Sequence, residues 1–241
     1  MRKVLTLTVI VFLTINSYAQ SWMDIGIKGG WGLNFLYNKN VLDDTQINEK
    51  FSSGFSVGGK LGWNFDDFHE VTIDVMFYNF TQQYKYNVYD SVSKASPEFD
   101  RSINFAGLQF MLLYRHNNDG RYVEIGPSLA TMTKLSMTDD IATNLPTDID
   151  KYMGKARMGF VFGFGGYVVG TDNFGITMGV RFNYDVSDAF TEDSKNFPAM
   201  RTYSSYTPSH PLTAMLVLEA NLDFAYMAKA KCKNKRKLIL F

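Results

Sequence analysis

The chain has 241 residues, of which 46% are hydrophobic and 15% aromatic, and its formal net charge is zero. This length suits one or two domains, and all-β barrels of this size are commonly single units. The only cysteine, Cys232, excludes an internal disulfide. No stretch beyond the N-terminus approaches the length of a transmembrane helix, which argues against a helical membrane protein.

The N-terminus has the pattern of a secretory signal peptide. Arg2 and Lys3 are basic, Val4 to Ile15 form an apolar run, and small residues stand at Ser17 and Ala19. The run is too short to cross a bilayer. We therefore expect a signal peptide over residues 1–19, with cleavage after Ala19.

Apolar and polar residues then alternate with a period of two, which predicts β-strands with one face of each kind. In chain order, we expect strands at about 24–35, 51–65, 71–78, 103–115, 122–135, 158–169, 174–185 and 212–224. The sixth and seventh form the clearest hairpin, because the turn sequence Gly-Thr-Asp-Asn at 170–173 separates two alternating arms.

The fourth predicted strand fits the pattern least well. Its expected polar face carries Gln109 together with four apolar residues: Ile103, Phe105, Met111 and Leu113. We keep the strand because its opposite face is continuously apolar: Ala106, Leu108, Phe110, Leu112 and Tyr114.

Alternation alone does not decide which strand face points inward. A soluble barrel encloses its apolar face, whereas a membrane barrel turns that face to lipid. Glycine weakens strands and gains nothing on a water-exposed face, but a narrow lumen crowded with long side chains needs small neighbours. The glycines on the polar faces are Gly26, Gly30, Gly32, Gly54, Gly58, Gly62, Gly163, Gly165, Gly175 and Gly179. This favours a polar lumen, with a soluble barrel around an apolar pocket as the alternative.

The connections between strands support a membrane barrel. Long polar segments at 37–50, 85–101, 138–154 and 186–209 alternate with short turns at 66–70, 116–120 and 170–173. Outer-membrane barrels have an even number of strands, short periplasmic turns and long outer loops. We therefore predict an all-β, eight-stranded antiparallel up-and-down transmembrane β-barrel over residues 20–226, located in the cell outer membrane with both termini in the periplasm.

The lumen of an eight-stranded barrel is just wide enough to be filled by its own side chains. The charged residues that we expect to line it are Lys28, Lys60, Asp74, Glu124, Arg181, Glu219 and Asp223. Because unpaired buried charge is costly, these residues should pair and plug the lumen. The sequence therefore predicts a barrel without a substantial pore.

The three histidines give little support for catalysis. We place His69 and His116 in short periplasmic turns and His210 at the outer mouth, near Ser209, Asp185 and Asp188. A histidine beside a carboxylate is a candidate general base, so an outer-rim hydrolase is a distant alternative. A solvated histidine is the commoner case, and we predict no enzyme activity, no cofactor and no metal site.

Paired acidic residues lie in the long segments, at Asp43-Asp44, Asp139-Asp140 and Asp148/Asp150. They could hold divalent cations that bridge to lipopolysaccharide, but their spacing matches no calcium loop. Solvated loop acids are the favoured interpretation. Nucleic-acid binding has no support outside the basic tail.

The tail over residues 227–241 carries six cations and no acid: Lys229, Lys231, Lys233, Lys235, Arg236 and Lys237. Without these and the two cations of the leader, the body has 16 basic against 24 acidic residues, a net charge of −8. The tail could bind anionic lipid headgroups or an acidic periplasmic protein, with Leu238 to Phe241 as an apolar anchor. An unstructured charged extension is slightly favoured.

Three segments resemble the PorT-like outer-membrane β-barrel family of Gram-negative bacteria: Tyr122 to Leu129, Gly163 to Val168 and Val180 to Tyr184. The resemblance is one of pattern over nearly all of the mature chain, and it implies an eight-stranded outer-membrane barrel. The founding member of the family is associated with type IX secretion. Because the chain continues past Phe224, the resemblance leaves Phe224 and Phe241 as alternative assembly signals. Asp90-Ser91-Val92 is similar to an O-glycosylation acceptor of related bacteria.

Two functions follow as hypotheses. The first is a non-enzymatic barrel that stabilises the envelope or presents its outer loops to ligands, with outer-membrane lipid and lipopolysaccharide as its surroundings. The alternative is an accessory component of a protein secretion system, with a periplasmic or secretion-system partner bound through the basic tail.

Overall fold

A computed structural model describes residues 21–87, 96–140, 152, 154, 156–171, 173–191, 203–229 and 236–240. The predicted signal peptide, Asp90-Ser91-Val92, Asp148/Asp150, Phe241 and the lysines at 231, 233 and 235 lie outside these residues. The elements are β1 Ser21–Asn38, α1 Lys39–Leu42, β2 Ile47–Lys50, β3 Ser52–Asn64, β4 His69–Asn87, β5 Glu98–Asn118, β6 Arg121–Asp139, β7 Ala156–Gly170, β8 Phe174–Asp185, β9 Ser209–Lys229 and β10 Arg236–Leu240.

No helix in the described ranges is long and apolar enough to cross a membrane.

Eight of the strands close into a ring. β1 pairs with β3, and each strand from β3 to β9 pairs antiparallel with the next along the chain. β1 then pairs antiparallel with β9, from Ser21 opposite Met227 to Asn38 opposite Ser209. The predicted eight-stranded, antiparallel, up-and-down barrel is therefore confirmed.

The outside of this ring is apolar, and the charged side chains of the spanning strands point inward. In β1, Ile27 is 72% exposed and Trp31 63% exposed, whereas Lys28 between them is 1% exposed. The same alternation of exposed apolar and buried polar residues runs through β3, β8 and the barrel part of β9. A continuous apolar belt of this kind suits lipid and not water. The fold is a transmembrane β-barrel whose apolar belt faces outward, and the soluble-barrel alternative is wrong.

The lumen glycines permit close approach of neighbouring strands. A Cβ atom on Gly58 would lie 2.0 Å from the carbonyl oxygen of Val75 and 2.7 Å from Cα of Met76. Both contacts are to backbone atoms of β4, which a side-chain rotation cannot relieve. The close packing of β3 and β4 therefore requires glycine at position 58, which agrees with the prediction that glycines on the polar faces serve close packing in the lumen.

The strands at the end of the barrel that carries the long connections are longer than predicted. β4 continues to Asn87, β5 begins at Glu98 and β6 ends at Asp139, so parts of the predicted loops at 85–101 and 138–154 are strands. β2, also predicted as loop, pairs with β4 from Ile47 opposite Tyr86 to Lys50 opposite Gln83. We call β2 and these outer parts of β4, β5 and β6 the long-loop extension.

The prediction that the tail is unstructured is wrong for part of it. Arg236–Leu240 forms β10, which pairs antiparallel with residues 225–229 of β9. On its β8 side, β9 has its last β8 partner at Leu222, opposite Phe174. The end of β9 therefore offers backbone hydrogen-bonding groups to β10 at the short-turn end of the barrel.

Candidate functional site in the barrel lumen

Charged side chains fill the half of the lumen that lies towards the short turns. We call them the lumen charge cluster: Asp24, Lys28, Lys60, Glu70, Asp74, Arg115, Glu124, Arg181 and Glu219. They come from seven of the eight barrel strands, because every second residue of a strand points inward. All nine are buried in the barrel.

Arg115 on β5 and Glu219 on β9 form the centre of the cluster. Arg115 Nη1 lies 2.9 Å from Glu219 Oε1, and Nη2 lies 2.8 Å from Oε2, which is the bidentate geometry of strong guanidinium–carboxylate pairs. Nη2 also donates to Glu124 Oε2 at 2.9 Å. The guanidinium carbon of Arg115 lies 4.2 Å from the ring centroid of Tyr122. Arg115 thus ties three strands together across the lumen.

Lys28 and Arg181 form a second group of ion pairs, which connects β1 and β8 to the carboxylates of other strands. Lys28 Nζ lies 2.6 Å from Asp74 Oδ2 and 2.9 Å from Glu219 Oε2. Arg181 donates from Nε to Glu124 Oε1 at 2.8 Å and from Nη2 to Asp74 Oδ2 at 3.2 Å. Asp74 and Glu124 therefore each bridge two cations and Glu219 bridges three, which distributes the charge over a network.

Lys60 connects the cluster to the short-turn mouth. Its Nζ lies 2.5 Å from Glu70 Oε1, 2.9 Å from Glu219 Oε1 and 3.1 Å from Asp24 Oδ1. Asn64 donates to the other oxygen of Asp24 at 2.7 Å. The ammonium group of Lys60 is therefore enclosed by three carboxylates.

Of the seven charged lumen residues predicted from the sequence, six lie in this cluster. Asp223 lies apart from the centre: it is half-buried at the short-turn mouth and stands opposite Asp24 across the β1–β9 pair. Arg115, Glu70 and Asp24 were not among the predicted members of the cluster. Arg115 shares the parity of Met111 and Leu113, so extending the period of two to the strand end would have found it.

A separate ion pair lies further along the lumen. Arg157 Nε donates to Asp185 Oδ2 at 2.8 Å, and Arg157 Nη2 donates to the hydroxyl of Tyr78 at 3.1 Å. Asn183 donates to the other oxygen of Asp185 at 3.1 Å. This pair marks the boundary between the charged and the apolar parts of the lumen.

Apolar side chains fill the half of the lumen towards the long connections. The cluster of buried residues there consists of Leu36, Val41, Ile47, Tyr78, Phe80, Tyr84, Ile103, Phe105, Ala130, Met132, Leu135, Met137, Ala189, Phe190, Met215 and Val217. It explains half of the anomaly in the fourth predicted strand, since Ile103 and Phe105 point inward into this apolar cluster. Met111 and Leu113 are buried in a second, smaller apolar cluster with Met76 and Val161. Ala106, predicted on the outer face, is buried beside a register shift between Ala106 and Gly107.

Two of the three histidines occupy places different from those expected. His69 begins β4 and His116 lies in β5, where they face each other with ring centroids 5.2 Å apart; the prediction that they stand in turns is wrong. His210 Nδ1 lies 3.2 Å from the backbone carbonyl oxygen of Asp185. The carboxylate of Asp185 contacts Arg157 and Asn183 instead, so it does not orient His210 as a base.

The paired acids are not all solvated loop residues. The side chain of Asp139 is fully buried, 2.6 Å from Arg101 Nε, and accepts a hydrogen bond from the Tyr86 hydroxyl at 2.6 Å. The expectation of solvation is therefore wrong for Asp139, because the long-loop extension covers it. Asp44 accepts from the Tyr203 hydroxyl at 3.2 Å. Within the described residues, no group of three or more His, Cys, Asp or Glu side chains could hold a metal ion.

The long-loop extension also contains a partly buried acid, Glu49. It stands opposite Tyr84 in the β2–β4 pair, outside the membrane span. Burial raises the pKa of the Glu49 carboxyl to about 8, and the Tyr84 hydroxyl only partly opposes this effect. The neutral form of Glu49 therefore favours docking of β2.

A cavity of about 330 Å³ opens at the short-turn mouth of the barrel. It leads from the turns at Asp67, Phe68 and Asp119 down to Lys60. We call this cavity the vestibule. In the long-loop half, the pocket beside Arg157 and Phe105 holds only about 10 Å³.

The fold and the two layers of lumen side chains define the chain as a closed, membrane-spanning β-barrel. Comparison with known protein families and with curated proteins finds no match. Among solved structures, the chain is similar to Neisserial surface protein A, with 13% identity, coverage of 83% of this chain and 97% of that chain, and a TM-score of 0.39.

Two further solved structures show a similar degree of likeness. OprG, an outer membrane protein from Pseudomonas aeruginosa, shares 9% identity over 87% of this chain and 98% of that chain, with a TM-score of 0.41. Ail, the attachment invasion locus protein of Yersinia pestis, shares 13% identity over 83% of this chain and 99% of that chain, with a TM-score of 0.38. Likenesses this remote assign neither a family nor an activity.

Proposed function

We propose that the protein is a non-enzymatic outer-membrane barrel with a plugged lumen, which anchors the long-loop extension at the cell surface in a structural or surface-binding role. The observation that carries the proposal is the double filling of the lumen. Ion-paired charges occupy one half and packed apolar side chains the other. An ion crossing the barrel would have to displace both layers.

The energetics of the two layers support a sealed lumen. Opening the charge cluster would separate buried ion pairs, and removing one partner of such a pair typically costs about 3–5 kcal/mol. Opening the apolar cluster would expose large side chains to water, at about 25 cal/mol per Å² of apolar surface.

The same geometry supports placement in the outer membrane, with the termini proposed to lie on the periplasmic side. Closed barrels satisfy all backbone hydrogen bonds within the bilayer. Barrels of the outer membrane turn their short connections to the periplasm. The long-loop extension would then face the exterior, where lipopolysaccharide lies.

A periplasmic protein partner bound through the basic tail is a second proposal. The observation that favours it is β10, which attaches Arg236–Leu240 to β9 at the short-turn end. A role beside a secretion apparatus rests on the resemblance to the PorT-like family. Co-purification from native membranes tests this proposal, with a variant in which Lys231, Lys233 and Lys235 are replaced by Gln as the comparison. Loss of a partner only in the variant supports it, and an unchanged set of proteins contradicts it.

The plugged lumen is tested by conductance in planar lipid bilayers. We expect the purified protein to insert without stable current steps, over the same voltage range in which a general porin gives open channels. Insertion is checked in parallel by protection of the barrel strands from protease in lipid vesicles. Large, stable conductance from protein that passes this check would overturn the proposal.

Surface exposure is tested by protease treatment of whole cells. We expect cleavage in the connection after α1 or in the predicted loop at 186–209, while β10 and the short turns remain intact until the cells are lysed. Cleavage of β10 in intact cells would contradict the proposed orientation of the barrel in the membrane.

A further inference from the structure

We infer that the vestibule binds an alkylammonium group, supplied either by a free polyamine or by a lysine side chain of another protein. The inference goes beyond the proposed function and does not depend on it, because ammonium binding and ion conduction are measured separately.

The charge of the vestibule favours a cation. Its lining contains one ammonium group, Lys60, and five carboxylates: Asp24, Asp67, Glu70, Asp119 and Asp223. The lining therefore carries a net formal charge of −4 at neutral pH. A concave mouth lined by one sign of charge concentrates ligands of the opposite sign.

Buried acceptor atoms give an independent indication of a ligand. Asn221 lines the vestibule and is only 8% exposed. Its Nδ2 donates to Glu219, but its Oδ1 accepts no hydrogen bond from the part of the chain that the structure describes. The same holds for Oδ1 of Asn117, which also lines the vestibule. An ammonium group has three N–H donors with which to reach such acceptors.

The aromatic part of the lining favours an organic cation over a metal ion. Trp22, Phe68 and Tyr167 contribute to the vestibule, and aromatic faces attract ammonium groups. A divalent metal would need several converging ligands, and the described residues contain no group of three or more His, Cys, Asp or Glu suited to one.

The vestibule floor already shows how such a group is held. Lys60 is an alkylammonium whose Nζ contacts Asp24, Glu70 and Glu219 within 3.1 Å. The methylene groups of Lys60 extend from β3, in the barrel wall. The Lys60 side chain therefore leaves the mouth of the vestibule open to the alkyl chain of a ligand. A cavity of about 330 Å³ accommodates a linear amine above it.

The test measures quenching or enhancement of Trp22 fluorescence on titration of the detergent-solubilised full chain, in which Trp31 and Trp63 are replaced by Phe. Spermidine and a tetralysine peptide are the two probes, and MgCl₂ at equal ionic strength is the comparison. We expect saturable binding of an amine probe but not of Mg²⁺. Binding of spermidine alone indicates a free polyamine, and tighter binding of tetralysine indicates a protein-borne lysine.

Matched variants locate the site. Asp67→Asn combined with Asp119→Asn should weaken amine binding about fourfold to 25-fold, taking twofold to fivefold for each exposed carboxylate. Asp119 has a positive φ of 48°, which asparagine tolerates, so the double variant should fold. Asp43→Asn combined with Asp100→Asn removes the same charge at the other end of the barrel and should leave binding unchanged. Absence of saturable binding, an equal response to Mg²⁺, or equal weakening by both double variants would overturn the inference.

Discussion

Arg115 contacts carboxylates of the lumen charge cluster through all three of its guanidinium nitrogens. It donates to Glu124 and bidentately to Glu219, and it lies 3.6 Å from Glu70. It is 1% exposed, so water cannot replace it as a partner for these carboxylates. Three of the five carboxylates of the cluster, Glu70, Glu124 and Glu219, therefore share this one guanidinium group.

Replacing Arg115 by Met should therefore destabilise the barrel by about 3–5 kcal/mol, because three buried carboxylates lose a partner. The measurement is the free energy of unfolding by urea in phospholipid vesicles, followed by tryptophan fluorescence. Lys85→Met, which removes a cation from an exposed pair with Glu98, serves as the control and should leave the unfolding midpoint unchanged. Equal effects of the two substitutions would show that the cluster contributes no net stability.

The lumen glycines give a second test at the residue scale. Gly58→Ala places a methyl group against the backbone of β4 and should cost about 1–3 kcal/mol, the range for overpacking. Gly29→Ala is the matched control, because a Cβ there has no neighbour within 4 Å. The same unfolding assay compares them, and a neutral effect of Gly58→Ala would contradict the close approach of β3 and β4.

The inward direction of most lumen residues can be predicted from the sequence, because the alternation of polar and apolar residues fixes the strand face on which each residue lies. Lys28, Lys60 and Glu219 lie inside long alternating runs, where the period of two is unambiguous. Arg115 and Glu70 lie near strand ends beside turns, where a charged residue also suits a solvated loop. Their inward direction depends on how far each strand continues, and that is set by pairing with neighbouring strands.

At the scale of elements, the number of barrel strands and the alternation of long and short connections can be predicted from the sequence, whereas the lengths of the strands cannot. β4 and β5 pair all the way from His69 opposite His116 to Asn87 opposite Glu98. Their outer ends leave the lipid, so the apolar alternation that marks a spanning strand fades while the backbone pairing continues. The apolar cluster was missed for a related reason, since inward-facing apolar residues break the expected polar lumen pattern.

The long-loop extension should respond to pH through Glu49. The folded-state pKa of about 8 exceeds the ordinary value of 4.5, so the contribution of Glu49 to docking of β2 is complete below about pH 4.5 and is lost as the pH rises through about 8. Hydrogen exchange of the β2 amides, corrected for intrinsic rates, should show falling protection over this interval. Glu49→Gln should remove the dependence, and an identical pH profile in the variant would contradict the assignment.

At the scale of the whole molecule, the barrel has three environments. An apolar belt faces lipid, a charge cluster fills the half of the lumen near the short turns, and an apolar cluster fills the other half. A soluble protein with this surface would expose large apolar side chains in a continuous band, which water does not tolerate. The direction of the two strand faces is therefore the claim on which the lumen, the sealing and the vestibule all depend.

Fluorescence quenching of Trp31 tests that claim most directly. In a variant with Trp22→Phe and Trp63→Phe, reconstituted in vesicles, we predict strong quenching by lipids brominated in their acyl chains and weak quenching by aqueous acrylamide. The companion variant that retains only Trp22, in the vestibule, should show the opposite preference. Quenching of Trp31 by acrylamide but not by brominated lipid would contradict the account.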